Sequence, residues 1–146
     1  MIALRLVLDT NVVISAALKP DGMQRTAFLL SITKPARLYV SQAILDEYAS
    51  VLARPGLRIR KGLQLQILQL IKNRSFLITP KVRIQAAGDP DDDIFIECAD
   101  AARADYLVTG NQKHFPRFWK ATKVITAREF IELAAPHLLP RCPPTR

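Results

Sequence analysis

Four oxygen-bearing side chains, Asp9, Glu47, Asp92 and Asn111, stand where an apolar run stops or on the apolar face of a helix. The run Leu4 to Leu8, interrupted only by Arg5, reads as a buried strand that ends at Asp9, and Tyr106-Leu107-Val108-Thr109 reads as another that ends at Gly110-Asn111. Between residues 42 and 53, Ile44, Glu47, Tyr48 and Val51 share one helical face, whereas Asp46 falls with Gln42, Ser50 and Ala53 on the other. Asp89-Pro90-Asp91-Asp92-Asp93 opens a further helix. There Asp92 aligns with Phe95, Ile96 and Ala99, and Asp93 aligns with Glu97 and Asp100 on what reads as a polar face.

Helix capping is the competing reading. It suits Asp9, placed just before a helix, and it suits Asp89 with Pro90 behind it and acids in the first turn. It does not account for four carboxylates in five positions from Asp89 to Asp93. Carboxylates about 4 Å apart repel by up to roughly 4 kcal/mol at an effective dielectric near 20, which a cation would relieve. Hard oxygen donors without His or Cys at ligand spacing select Mg²⁺ or Mn²⁺, ions that keep waters and bind phosphate oxygens. The chemistry this points to is hydrolysis of a phosphodiester.

The elements that must position these groups alternate. Strands are expected at 4–8, 38–40, 75–79, 106–109 and 123–125, and helices at 12–18, 23–32, 42–53, 63–74, 127–135 and from 90 through at least 100. Ser41 is placed to cap the third helix, and Thr126 with Glu129 forms a capping box for the last. Such alternation gives an α/β fold with a five-stranded parallel sheet covered on both faces, and ligands bind such sheets at the carboxyl ends of the strands. Residues 1–135 form one domain, and 136–146, with four prolines, read as an extended tail.

The 146 residues are 49% hydrophobic and carry a net charge of +8, which favours an anionic partner. Arg58, Arg60 and Lys61 form a basic loop, and Lys113, His114, Arg117 and Lys120 surround Phe115, Phe118 and Trp119. Each group is either a contact for nucleic acid or, respectively, a solvated connector and a core cluster with a charged rim. No run reaches the about 18 apolar residues of a membrane span, and Met1 to Leu8 is too short for a signal peptide, so the expectation is a cytoplasmic protein without a membrane partner. Cys98 reads as a buried thiol, and Cys142 lies in the tail.

Taken together, Leu8-Asp9-Thr10-Asn11-Val12, Ser41 through Glu47-Tyr48, Asp89 to Asp93, and Tyr106 to Asn111 resemble the PIN-domain nucleases, and more narrowly the VapC-like toxins of toxin–antitoxin systems. The resemblance spans residues 4–134. It implies a three-layer α/β/α fold, a Mg²⁺- or Mn²⁺-dependent endoribonuclease, an RNA substrate, a cognate antitoxin and a homodimer. Asp9, Glu47 and Asp92 match the family's three acids, Thr10 its hydroxyl beside the first, and Asn111 its fourth acidic position, here neutral. Asn11, Ser41, Asp89, Asp93 and Thr109 are expected to support that site. Two alternatives stand beside this one. A phosphatase with an aspartyl nucleophile would carry a second Asp where Asn11 stands, and a fold that has lost catalysis would fit the neutral Asn111.

Overall fold

The structure, a computed structural model, describes residues 3–139. β1 (Arg5–Leu8) leads into α1 (Thr10–Leu18) and α2 (Met23–Ser31), and β2 (Arg37–Val40) into α3 (Gln42–Leu52). After a 3-10 turn at Pro55–Leu57 come α4 (Lys61–Arg74) and β3 (Phe76–Leu77), then α5 (Pro90–Ala102) and β4 (Tyr106–Val108). A second 3-10 turn, Gln112–His114, precedes β5 (Phe118–Trp119), β6 (Thr122–Ile125) and α6 (Ala127–Ala134).

The strands form one sheet in the order β3-β2-β1-β4-β6-β5. All neighbours are parallel except β5 and β6, which make an antiparallel hairpin at one edge. The sheet therefore has six strands, not the expected five. The chain turns to β2 on one side of β1 and returns as β4 on the other, so β1 and β4 flank the topological switch point, where α/β sheets bind ligands.

The buried faces follow from composition. Leu6, Val7 and Leu8 are wholly buried, as expected of a central strand covered on both sides. Tyr48, Phe95 and Phe115 stack through the core with ring centroids 6.4 Å apart in each successive pair, the second pair edge to face. Cys98 is a buried free thiol, its pKa pushed up to about 12 by burial. Caps form where the residue types place them: Ser41 accepts from the Ile44 N–H, Asp89 from the Asp91 N–H, and Thr126 and Glu129 close a full capping box.

Four expectations need correction. β3 is two residues long with both side chains exposed, rather than a strand over 75–79. Pro136–Leu138 forms a 3-10 turn instead of extended chain, and the rest of the tail, with Cys142, lies outside the described residues. Phe115 joins the core, but Phe118 is exposed, and Lys120 is taken up by Asp100 at 2.8 Å rather than left for a ligand. Asp93 is only 6% exposed, so its helix face is not solvated. That face is covered by residues 84–87 and by Trp119. Asp93 accepts from the N–H groups of Ala86 and Ala87 at 3.1 and 2.7 Å, Glu97 accepts from Ile84 at 2.9 Å, and Asp100 accepts from the Trp119 indole at 3.0 Å.

Asp93 thus clamps the loop that delivers α5. Asp93→Ala should cost about 1–3 kcal/mol of stability, the penalty for orphaning partly buried N–H groups. Hydrogen exchange should speed up first at Ala86 and Ala87, and unchanged exchange there would contradict the clamp.

Candidate active site

Asp9 and Thr109 are the residues that follow β1 and β4, neighbours across the switch point. The ladder reaches past both strands, with the Asp9 N–H donating to the Val108 carbonyl and the Thr109 N–H to the Ile125 carbonyl, each at 2.9 Å. Asp9 occupies the cap position of α1, yet its carboxylate makes no capping bond. It turns instead to Thr109, whose hydroxyl donates to Asp9 Oδ2 at 2.7 Å and itself accepts from the Asn111 N–H at 3.0 Å. Capping is therefore not what Asp9 does. Asp9 is 4% exposed, and its pKa is raised, first by burial and then by the Asp92 charge, against the lowering effect of the Thr109 bond.

α3 is pinned to the same strand end. The Tyr48 hydroxyl, fully buried and held protonated by burial, donates to the Leu8 carbonyl one residue before Asp9. Glu47, its neighbour, is half-buried, while Asp46 is exposed and accepts from Gln42. Burial raises the Glu47 pKa, Asp91 raises it further, Arg54 opposes, and Asp92 adds to the rise. Asp92 is raised in turn by burial and by Asp89, with His114 acting against both. His114 Nδ1 lies 3.9 Å from Asp92 Oδ2 at the exposed rim. Asp92 thus acts on both other acids, raising Asp9 and Glu47, while its own rise comes from burial and from Asp89, Asp91 and Asp93 in its own stretch.

Among the described residues no three His, Cys, Asp or Glu side chains stand close enough to enclose one metal ion. A closed cage is not what the smaller hard cations need. Mg²⁺ is commonly held by one or two carboxylates, its remaining positions going to water and phosphate oxygens. Asp9 and Asp92 suit that open arrangement, and the Thr10 hydroxyl beside Asp9 is buried without a hydrogen-bond partner. The donor set fits a hard divalent cation.

The other expected residues are placed as follows. Asn111 is exposed at the start of a 3-10 turn, joined to Thr109 through its backbone. Asn11 is exposed on α1, Ser41 and Asp89 cap their helices, and Asp93 serves the loop. Arg58, Arg60, Lys61, Lys113 and Arg117 are all exposed. Sequence reasoning missed Arg54 and Asp91 as charges acting on Glu47, and His114 as the neighbour of Asp92. Arg54 lies past the end of α3 in extended chain, where helical spacing no longer applies, so periodicity carries no signal for it.

Thr109→Val tests the Asp9 anchor. A raised pKa means that the folded state binds more protons than the unfolded chain just above a pH of about 4, so the Asp9 contribution weakens the fold as pH rises through its folded pKa. Removing the Thr109 donor widens that gap. The variant should lose about 1–3 kcal/mol at pH 7 and less as pH falls, with Thr109→Ser restoring most of the loss. Chemical denaturation across pH measures this, and a loss independent of pH would assign Thr109 to packing alone.

The site sits in recognisable company. The PIN-domain family model matches residues 5–113. The uncharacterized protein MJ1680 of Methanocaldococcus jannaschii is 30% identical over 143 residues, covering 90% of this chain and 92% of its own length. The crystal structure of VapBC2 from Rickettsia felis, bound to a DNA fragment from its promoter, superposes with a TM-score of 0.58 at 18% identity, covering 84% of this chain and 98% of that one, a likeness of fold. The chain belongs to the PIN-domain family.

Proposed function

We propose that the protein is a Mg²⁺- or Mn²⁺-dependent endoribonuclease, acting as the toxin of a VapC-like toxin–antitoxin pair. The observation that supports this reading is the action of Asp92 on both Asp9, at the switch point, and Glu47, all three having raised pKa values. Perturbed acids grouped at such a place are the mark of a functional site. The net charge of +8 supports a polyanionic substrate, and the family supports a nuclease. The fold likeness to a toxin held in its antitoxin complex supports an antitoxin partner here, and a homodimer in the cytoplasm is consistent with that role.

Asp9 and Asp92 would hold the cation, with Glu47, Thr10 and Asn111 as further oxygen donors. Bound there, it would neutralise charge on the scissile phosphate and its leaving oxygen. The chain's own residues supply the rest. Thr109 fixes the Asp9 carboxylate, and Tyr48 fixes the helix that carries Glu47. The raised pKa of Glu47 makes it a better proton acceptor than an ordinary carboxylate. It takes a proton from water as the new P–O bond forms, and the leaving oxygen takes a proton from solvent as the ester P–O bond breaks. His114, Lys113 and Arg117 on one side, and Arg58, Arg60 and Lys61 elsewhere on the surface, hold the RNA backbone.

A second reading, a PIN fold that binds RNA without cutting it, has one feature in its favour: Asn111 is neutral and exposed.

Incubation with labelled single-stranded RNA in Mg²⁺, Mn²⁺ or EDTA separates the two readings. Cleavage should require the cation, and Asp92→Asn should reduce it by on the order of 100-fold or more without unfolding the protein. Activity in EDTA, or an active Asp92→Asn beside an inactive but folded Asp93→Asn, would overturn the assignment.

A further inference from the structure

The sheet edge opposite Asp9 carries a groove of a different character. It opens at the amino ends of β1, β2 and β3, with a volume of about 930 Å³, between Ala3, the turn 32–37 and residues 73–76. Lys34, Arg37 and Arg74 line it, together with Thr33, Asn73 and Ser75, and no lining residue is acidic. All three cations are exposed, and none is in an ion pair with a carboxylate among the described residues.

One wall is aromatic. Phe76 is 49% exposed at the start of edge strand β3, its ring 5.5 Å from that of Tyr39 and 5.8 Å from the Arg37 guanidinium carbon. Aromatic rings and guanidinium planes are the surfaces on which unpaired bases stack. The charge distribution points the same way. Residues 48–88 hold eight Lys and Arg and no Asp or Glu, whereas the other 13 basic residues match the 13 acids, so this stretch accounts for the whole net charge of +8. Arg74 belongs to that stretch, and Lys72 is exposed two residues before it.

We propose that this groove is a second binding site for single-stranded RNA, in which Lys34, Arg37 and Arg74 take backbone phosphates and a base stacks on Phe76. An acidic peptide would answer the cations but leave the exposed ring unused, so RNA is the better occupant. The choice of RNA rests on the nuclease reading above, and the groove itself does not. Because the groove lies on the opposite edge of the sheet from Asp9, it favours long RNAs that can engage both edges over short ones confined to the acids.

The test is binding without cleavage: fluorescence anisotropy in EDTA, in an Asp92→Asn background, with a 20-nucleotide and a 4-nucleotide RNA across a salt series, lengths of about these values sufficing to span or not to span both edges. Lys34→Glu combined with Arg74→Glu should weaken the long RNA at least about tenfold and flatten its log-log salt slope by roughly 1.4, about 0.7 for each lost phosphate contact. The short RNA should bind as before. Phe76→Ala should weaken the long RNA by roughly tenfold with the slope unchanged, and Phe76→Tyr, which keeps the ring, should restore it.

Long-RNA binding that survives both changes would overturn the proposal. So would equal weakening of the short RNA, which would indicate a general loss of attraction. Displacement of the long RNA by poly-glutamate from the parent but not from the charge-reversed protein, with Phe76→Ala silent, would assign the groove to an acidic partner instead. Binding through the groove by a parent protein that cuts no RNA would defeat the nuclease reading alone. Cleavage with an unaffected groove variant would defeat the groove alone.

Discussion

A buried carboxylate needs a partner, and the bond from the Thr109 hydroxyl to Asp9 meets that need at the switch point between β1 and β4. Much of the surrounding structure serves this contact. The pairing of β1 with β4 sets its register, with Leu8 opposite Val108, so that the next residues on each strand meet. The Tyr48 hydroxyl ties α3 to the Leu8 carbonyl, which brings Glu47 to the same edge. α5 enters with its orientation fixed by the hydrogen bonds of Asp93 and Glu97 to residues 84–87, and this turns Asp92 towards Asp9.

The acids do not stabilise the fold in this arrangement. Burial, and repulsion from the carboxylates of residues 89–93, raise all three pKa values, so their folded-state charge is costly at neutral pH and becomes less so as they are protonated. A protein that keeps such a cluster has a use for negative charge at that position. A hard cation and a phosphodiester together supply a reason consistent with the basic surface.

Much of this was legible in the sequence because the two periodicities involved are strong. Strand-end acids follow from short apolar runs, and the half-buried Glu47 beside the exposed Asp46 follows from helical spacing alone. What periodicity could not supply was the identity of the covering partner. Asp93, Glu97 and Asp100 do share a face, but a helical pattern cannot say that residues 84–87 and Trp119 will cover it. β5 escaped because two residues are too few to show alternation, and its turn into β6 uses Lys120 at φ 52 where Gly or Asn would have marked a hairpin. β3 was overextended for the opposite reason: the β-forming composition of residues 75–79 runs past the two residues that pair.

The deciding property of the site is where a cation binds. Mn²⁺ added in substoichiometric amounts to isotopically labelled protein broadens the amide resonances nearest the ion, a readout that does not depend on activity. Broadening that begins at Asp9, Thr10, Asp92 and Asn111 and fades with distance from the β1–β4 switch point is the predicted result. Broadening centred elsewhere, on Asp21 or Glu132 for example, or none at millimolar Mn²⁺, would contradict the claim that these residues form a cation site.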